Sequence, residues 1–249
     1  MPELARRPSL FSHTLNQLGR QIVSGRYGES GMIPPEPKLC EQLGASRGVL
    51  REVLRVLSQK GLISAQPKVG IRVEPERNWN VMDLDVLNWL WEFGPRTNYI
   101  REFLEFRLIF EPAAASAAAK NATSVDRKEI LDLYNTLADE SDRISDRSSD
   151  ERAQDADLRF HLAVFRASRN RLLVYTGTLI GHIMRQQIAM TTSTPGVFRD
   201  AVPLHQQMAE AISRGDHREA ERAARDNVIW TQNALDRLNR EHQTAVAGE

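Results

Sequence analysis

The chain has 249 residues, 33 Lys+Arg against 33 Asp+Glu, and one cysteine, which is length enough for two domains that each bury a core. No apolar run is long enough to span a bilayer as a helix, and Met1-Pro2-Glu3-Leu4-Ala5-Arg6-Arg7 is not followed by the apolar core of a secretory signal. A lone Cys40 excludes an intrachain disulfide, so the expected setting is a reducing cytoplasm, with no membrane partner.

The zero net charge hides an asymmetry. Residues 1–77 carry 12 basic and 7 acidic side chains, an excess of +5, which leaves 21 against 26 and −5 for the remainder. A basic N-terminal part points to a polyanionic partner. Residues 1–9 have no periodicity. From Ser9 or Ser12 to Ser24, the positions Leu10, Phe11, Leu15, Leu18, Ile22 and Val23 predict an amphipathic helix closed by Gly25. Residues 25–35, with three glycines and two prolines, predict a loop, and Pro35-Glu36-Pro37-Lys38 opens a second helix. Cys40 lies on that helix as a small apolar residue.

Ser46 stands where an N-cap would, and apolar residues at 49, 50, 53, 54, 56 and 57 predict a helix ending before Gly61. Arg47, Arg51 and Arg55 recur every fourth residue on a separate face. By itself such a stripe is either a solvated surface or a face that lies in a DNA major groove. Its flanks favour DNA. Leu39 to Leu43 and Gly44-Ala45 give helix-turn-helix spacing, and Gly61–Ala65 followed by Pro67–Val73 predicts two strands with a basic turn, the wing of a winged helix.

Taken together, Gly31-x-Ile33-Pro34-x-Glu36, Leu39, Gly44-x-Ser46-Arg47-x-x-Leu50-Arg51-Glu52, Leu57 and Gly61-Leu62-Ile63 resemble the DNA-binding domain of the GntR family of bacterial transcription regulators. The resemblance covers about residues 10–75. It implies operator contacts from Ser46, Arg47 and Arg51, and a wing-tip glycine at Gly70 with Lys68 and Arg72 beside it. The family commonly has arginine directly after the glutamate; here Pro37 intervenes and Lys38 supplies the cation.

Residues 74–80 shift composition and mark a domain boundary, after which Val81 to Trp91 is dense in apolar residues and predicts a short buried docking helix that ends at Gly94-Pro95. Its tryptophans fit core positions at helical spacing. Beyond Pro95 only helical patterns appear: Tyr99–Lys120, expected to be kinked or divided at Pro112, then Val125–Ile144, Asp155–Ala167, Leu172–Met190, Val202–Arg214 and His217–Leu238. The polar run 145–154 is expected to be a solvated loop or helix end, and 191–196 a loop. The fold class is therefore mainly α: a winged helix-turn-helix over 10–75, a linker and docking helix over 76–94, and an antiparallel bundle of six or seven helices over 95–240.

Asp157 and His161 stand at i and i+4, so both leave one helix face, as two ligands of one metal or as a carboxylate orienting a core histidine. His205 opens a later amphipathic pattern. With Phe160, Ala167-Ser168-x-Asn170, Met208, Ala211-Ile212, Gly215-Asp216 and Glu105-x-Arg107-x-x-x-Glu111-Pro112, they resemble the FCD ligand-binding domain of the FadR subfamily over about 95–238.

That resemblance implies a homodimeric regulator, in this family usually a repressor, that binds a palindromic operator. It further implies a divalent metal on Asp157, His161 and His205, and a small organic acid completing the coordination. The position of the family's last histidine falls on Asn227, a neutral oxygen donor, which leaves a three-ligand site completed by water or effector, a weakened site, or a metal-free one. A mixed nitrogen and oxygen site suits Zn, Ni or Mn. Arg107 is expected to pair with the effector carboxylate through two parallel hydrogen bonds, or to form a buried ion pair with Glu105 or Glu111. Asn170, Arg185 and Gln186 are further pocket candidates, and His182 is expected to be core or pocket wall. Trp79-Asn80-x-x-Asp83-x-Asp85-Val86-Leu87-x-Trp89 resembles the segment in galactonate-responsive members, which implies a sugar acid. The rival readings are a metal-free acyl-CoA-type sensor and a metal-dependent hydrolase.

Overall fold

The computed structural model describes residues 9–28, 30–66, 70–93, 96–143, 147–192 and 197–247. The chain divides into two compact units, Met1–Tyr99 and Ile100–Glu249.

In the first unit, Ser9 caps helix α1 (Leu10–Val23) by accepting from the Ser12 amide at 3.1 Å. Helix α2 (Glu36–Leu43) begins with Pro35 as N-cap and Pro37 in its first turn, where a missing N–H costs nothing. Helix α3 (Arg47–Gln59) starts at Ser46, whose hydroxyl accepts from the Val49 amide at 3.4 Å. Leu50, Val53 and Leu57 bury one face of α3 against Leu15, Leu18, Ile22, Leu39 and Leu43, which leaves Arg47, Arg51 and Arg55 in solvent.

The wing is built from β2 (Ile63–Gln66) and β3 (Gly70–Val73), antiparallel with Ile63 opposite Val73 and Gln66 opposite Gly70. Within the segment expected to be loop, β1 (Met32–Ile33) adds to the other edge of β3, Met32 opposite Arg72. Two residues are too few to show alternation in a sequence, and only the partner strand makes them a strand. Gly61, at φ +76°, must be glycine: a Cβ there would lie 2.2 Å from the Asn78 carbonyl oxygen.

The docking segment is a single 3-10 turn at Glu76–Asn78 followed by helix α4 (Leu84–Phe93), and it packs within the first unit. Lys60, at the C-terminus of α3, places Nζ 2.6 Å from Asp83 Oδ1 and 2.9 Å from Asp85 Oδ2, while its carbonyl accepts from the Asn80 amide at 2.8 Å. Trp89 lies flat on α1 over Gly19 and donates its indole N–H to Asn16 Oδ1 at 3.0 Å. Glycine inside a helix ordinarily costs stability relative to alanine; here a Cβ at position 19 would meet three Trp89 ring atoms at 2.5–2.6 Å.

The second unit consists, among the described residues, of six helices: α5 (Arg96–Asn121), α6 (Ser124–Asp142), α7 (Arg147–Ala167), α8 (Arg171–Thr192), α9 (Val197–Arg214) and α10 (His217–Ala247). Two expectations that left alternatives open are narrowed. Helix α5 is not divided at Pro112, because the buried positions Leu104, Arg107, Glu111, Ala114, Ala115, Ala118 and Ala119 stay in helical phase through it and tertiary packing holds the helix. Residues 147–154 are helical, since α7 starts at Arg147; the polar run lacks an apolar stripe but buries Ala153 and pairs Arg152 with Glu140 at 2.9 Å.

Thr123 and Asp126 form a reciprocal capping box at the start of α6. Arg127 then stitches two helix ends together, donating to the carbonyls of Ile212 and Ser213 at 2.6 Å each and of Ala119 at 3.1 Å. No helix among the described residues is long and apolar enough to cross a membrane.

Gly19→Ala tests the seat of α4. Although alanine favours helix, the clash with Trp89 should make the variant less stable by about 1–3 kcal/mol, as in other overpacked cores, read as a lower midpoint in urea unfolding. An unchanged or raised midpoint would mean that α4 does not sit on α1 in this way.

Candidate functional site

The exposed face of α3 carries one candidate site. Ser46, Arg47 and Arg51 open this helix, with Lys38 exposed on the neighbouring α2. The three arginines of the stripe differ in their surroundings. Arg55 is paired with Glu52 of its own helix, Nη2 to Oε1 at 2.5 Å and Nε to Oε2 at 3.2 Å. Arg51 donates Nε to Glu36 Oε2 on α2 at 3.1 Å, and Arg47 has no ion pair among the described residues. On the wing, Gly70 has φ +105° and Arg72 donates to the Ser30 carbonyl at 3.1 Å. Lys68 lies outside the described residues.

A second candidate is buried in the helical unit. Asp157 and His161 on α7 meet His205 on α9, so that one ligand atom from each lies within 4.8 Å of the others. Asp157 Oδ1 is 3.0 Å from His205 Nε2 and 3.3 Å from His161 Nε2, and the two Nε2 atoms are 3.2 Å apart. The far nitrogens are committed elsewhere: His205 Nδ1 is 2.9 Å from the Ala201 carbonyl, and His161 Nδ1 is 3.3 Å from Glu111 Oε2. Each Nδ1 therefore carries a proton and donates it, as assigned from its partner, and both Nε2 lone pairs turn towards Asp157.

Three electron-rich atoms then converge, and Asp157 Oδ1 is left buried without a well-formed hydrogen bond. Such an arrangement calls for a cation. The donor set of two imidazoles and a carboxylate, each imidazole oriented by a second hydrogen bond, fits a divalent metal ion. A proton is the smallest cation that answers the same need. Burial by itself disfavours a charge on His161, but the carboxylates of Glu111 and Asp157 outweigh it and raise its pKa to about 9. Asp157 is likewise penalised by burial, yet the His205 and His161 rings pull its pKa well below the ordinary aspartate value.

Arg107 forms the ion pair with Glu111 that its spacing allowed. It is 2 % exposed and all its nitrogens are engaged: Nε with Glu111 Oε1, Nη2 with Glu111 Oε2 at 3.3 Å, and Nη1 with Gln187 of α8. A guanidinium inside a helix bundle has to find a counter-charge, and Glu111 is one turn along the same helix. Burial opposes ionisation of Glu111, but Arg107 and His161 together hold its pKa down to about 2.

Two other pocket candidates are at the surface. Asn170 is exposed and caps α8, accepting from the Leu172 amide at 3.0 Å, and Arg185 is exposed with Asp155 at 3.7 Å. His182 is exposed rather than core. Asn227, by contrast, is 2 % exposed on α10, and its Nδ2 lies 3.4 and 3.5 Å from the two ring nitrogens of His205.

Glu111, Gln187 and the Ala201 carbonyl complete the cluster, and none was assigned a role in holding a ligand from the sequence. The i, i+4 spacing of Arg107 and Glu111 was a usable signal for the ion pair. Nothing in the sequence distinguishes Gln187 from its neighbour Gln186.

A winged helix-turn-helix with two exposed arginines at the start of its second helix, on one chain with an all-α unit that buries a carboxylate–imidazole cluster, defines a DNA-binding regulator with a second, helical domain. The chain belongs to the GntR family. Residues 12–73 match "Bacterial regulatory proteins, gntR family", and residues 102–228 match the FCD domain. It is 33 % identical over 212 residues to the galactonate operon transcriptional repressor of Escherichia coli K12, covering 83 % of this chain and 88 % of that protein. To the Glc operon transcriptional activator of the same strain it is 31 % identical, covering 90 % and 87 %. A solved structure of Listeria monocytogenes Lar has the same fold, with a TM-score of 0.61 at 18 % identity, covering 93 % of this chain and 99 % of that one. The family is one of transcription regulators, not enzymes.

Two measurements test the cluster. Glu111→Gln should weaken Zn(II) binding by about 10- to 100-fold, as loss of a ligand-orienting carboxylate does; calorimetry with an unchanged affinity would remove Glu111 from the site. In chelator, the stabilisation from His161 should be complete below pH 6.5 and lost as pH rises through about 9, because its folded pKa lies above the ordinary value. The stabilisation from Glu111 should be present above pH 4.5 and lost towards about 2. Melting temperature against pH should therefore decline on the alkaline side in the wild type, and this decline should be reduced in His161→Gln.

Proposed function

We propose that the protein is a homodimeric repressor that binds a palindromic operator through the α3 faces and wings of its two copies, and is released by a small monocarboxylate, a sugar acid, bound at a divalent metal site in the helical unit. The observation that carries the sensing part is the charge balance of the buried cluster. Among the described residues, the buried charged groups are Arg107, Glu111, Asp157 and the His161/His205 pair.

With His161 protonated, two positive and two negative charges cancel. A divalent ion held by Asp157, His161 and His205 in place of that proton supplies Lewis acidity and one excess positive charge, which a monoanion matches. The chain's own residues do the rest. Glu111 and the Ala201 carbonyl hold the imidazoles in their ligating tautomer, Arg107, braced by Gln187, holds Glu111, and Asn227 would present an amide to the ligand.

Zinc, nickel and manganese all suit this donor set. A sugar acid as effector is supported by the relative that represses a galactonate operon and by the similar segment Trp79–Trp89. Release is a matter of linkage: the effector favours the population of the dimer that cannot meet both half-sites at once.

A thermal-shift screen of aldonates, hydroxy acids and dicarboxylates, each with and without EDTA, tests this reading. An aldonate at about a hundred times its Kd should raise Tm by roughly 5 °C or more, and EDTA should abolish the shift. A shift that survives EDTA would sink the metal bridge and favour the metal-free sensor. For the DNA part, Arg47→Ala and Arg51→Ala should each cost about 1–3 kcal/mol on a duplex that the wild type selects; if neither changes binding, α3 is not the reading helix.

A further inference from the structure

We propose that Glu36 is a specificity-determining residue that positions Arg51, so that the guanidinium meets one base pair of each operator half-site in a fixed orientation. The inference rests on α3 being the DNA-reading helix.

Of the stripe Arg47, Arg51 and Arg55, only Arg51 is held from another helix among the described residues. Its Nε donates to Glu36 Oε2 at 3.1 Å across fifteen positions of sequence, whereas Arg55 is neutralised by Glu52 within α3. Glu36 is the first residue of α2 and sits between Pro35 and Pro37, whose rings fix φ at the positions on either side of it. The carboxylate therefore reaches α3 from a stiff support.

Held at Nε, the guanidinium keeps Nη1 and Nη2 clear of any acceptor among the described residues. Two such donors match the paired acceptors O6 and N7 that guanine presents in the major groove. An exposed pair of this kind adds little to folding stability, and a carboxylate beside DNA repels phosphate. Its use is discrimination: at a correct site Arg51 keeps Glu36 and gains a base, while at a wrong site Glu36 competes with phosphate for the same cation.

The test uses full-length protein, a duplex selected by the wild type from a random-sequence pool, and a scrambled duplex of equal length, compared by fluorescence anisotropy at one salt concentration. Glu36→Gln should lower the ratio of selected to scrambled affinity by about tenfold or more, with scrambled binding equal to or tighter than wild type. In an Arg51→Ala background the same substitution should leave the ratio nearly unchanged, because the two residues act as one unit. Glu36→Asp keeps the charge and shortens the reach; scrambled binding should stay at the wild-type level while selected binding falls.

Equal ratios for wild type and Glu36→Gln, full additivity with Arg51→Ala, or wild-type behaviour of Glu36→Asp would each overturn the positioning role. Enrichment of no sequence by the wild type is a different result: it would overturn the DNA-reading assignment itself, and this inference with it.

Discussion

The helical unit is organised by one buried chain of charge: Arg107 to Glu111, Glu111 to His161, and His161 and His205 to Asp157. It draws its members from α5, α7 and α9, with Gln187 from α8 and Asn227 from α10 at its edges. Charges removed from water are tolerated only when each finds a partner, and breaking one pair leaves the other stranded at a cost of about 3–5 kcal/mol. The positions of five helices are thus tied to one polar centre, while the alanines of α5 and the apolar faces around it supply close packing without selecting a register so sharply.

This centre also explains why Arg107 is held by a carboxylate of the chain itself. A free guanidinium in the bundle would need an anion permanently at hand, and the chain provides Glu111 instead. The consequence passes outward. Glu111, anchored by Arg107, orients the His161 ring, which leaves its Nε2 available beside Asp157. Arg107 therefore acts on Asp157 through two intervening side chains, Glu111 and His161.

In the first unit the corresponding constraint is the burial of Leu50, Val53 and Leu57, which forces the opposite face of α3 into solvent. Acidic neighbours then set the state of each arginine on that face. Glu52 occupies Arg55, Glu36 engages Arg51, and Arg47 has no ion pair among the described residues. A uniform stripe of cations is in this way graded from free to neutralised along three turns. The clamp of Lys60 on Asp83 and Asp85, together with Trp89 seated over Gly19, fastens the 79–93 segment to the same unit.

Local chemistry settled much of this from the amino acids alone. Ser9 and Ser46 mark helix starts because their hydroxyls satisfy amides one turn ahead, and the apolar periods of α1, α3 and α6 fix which faces are buried. The i, i+4 spacing of Asp157 and His161 already placed both side chains on one face. Tertiary structure decided what depends on distant partners. Met32–Ile33 is a strand only because β3 lies beside it, and α5 passes through Pro112 only because its buried face continues on both sides. Asn170 and Arg185 lie at the surface, whereas Glu111 and Gln187 close around Arg107, since burial is a property of the assembled bundle and not of any one helix. Periodicity tells which residues share a face; only packing tells which charges have to meet there.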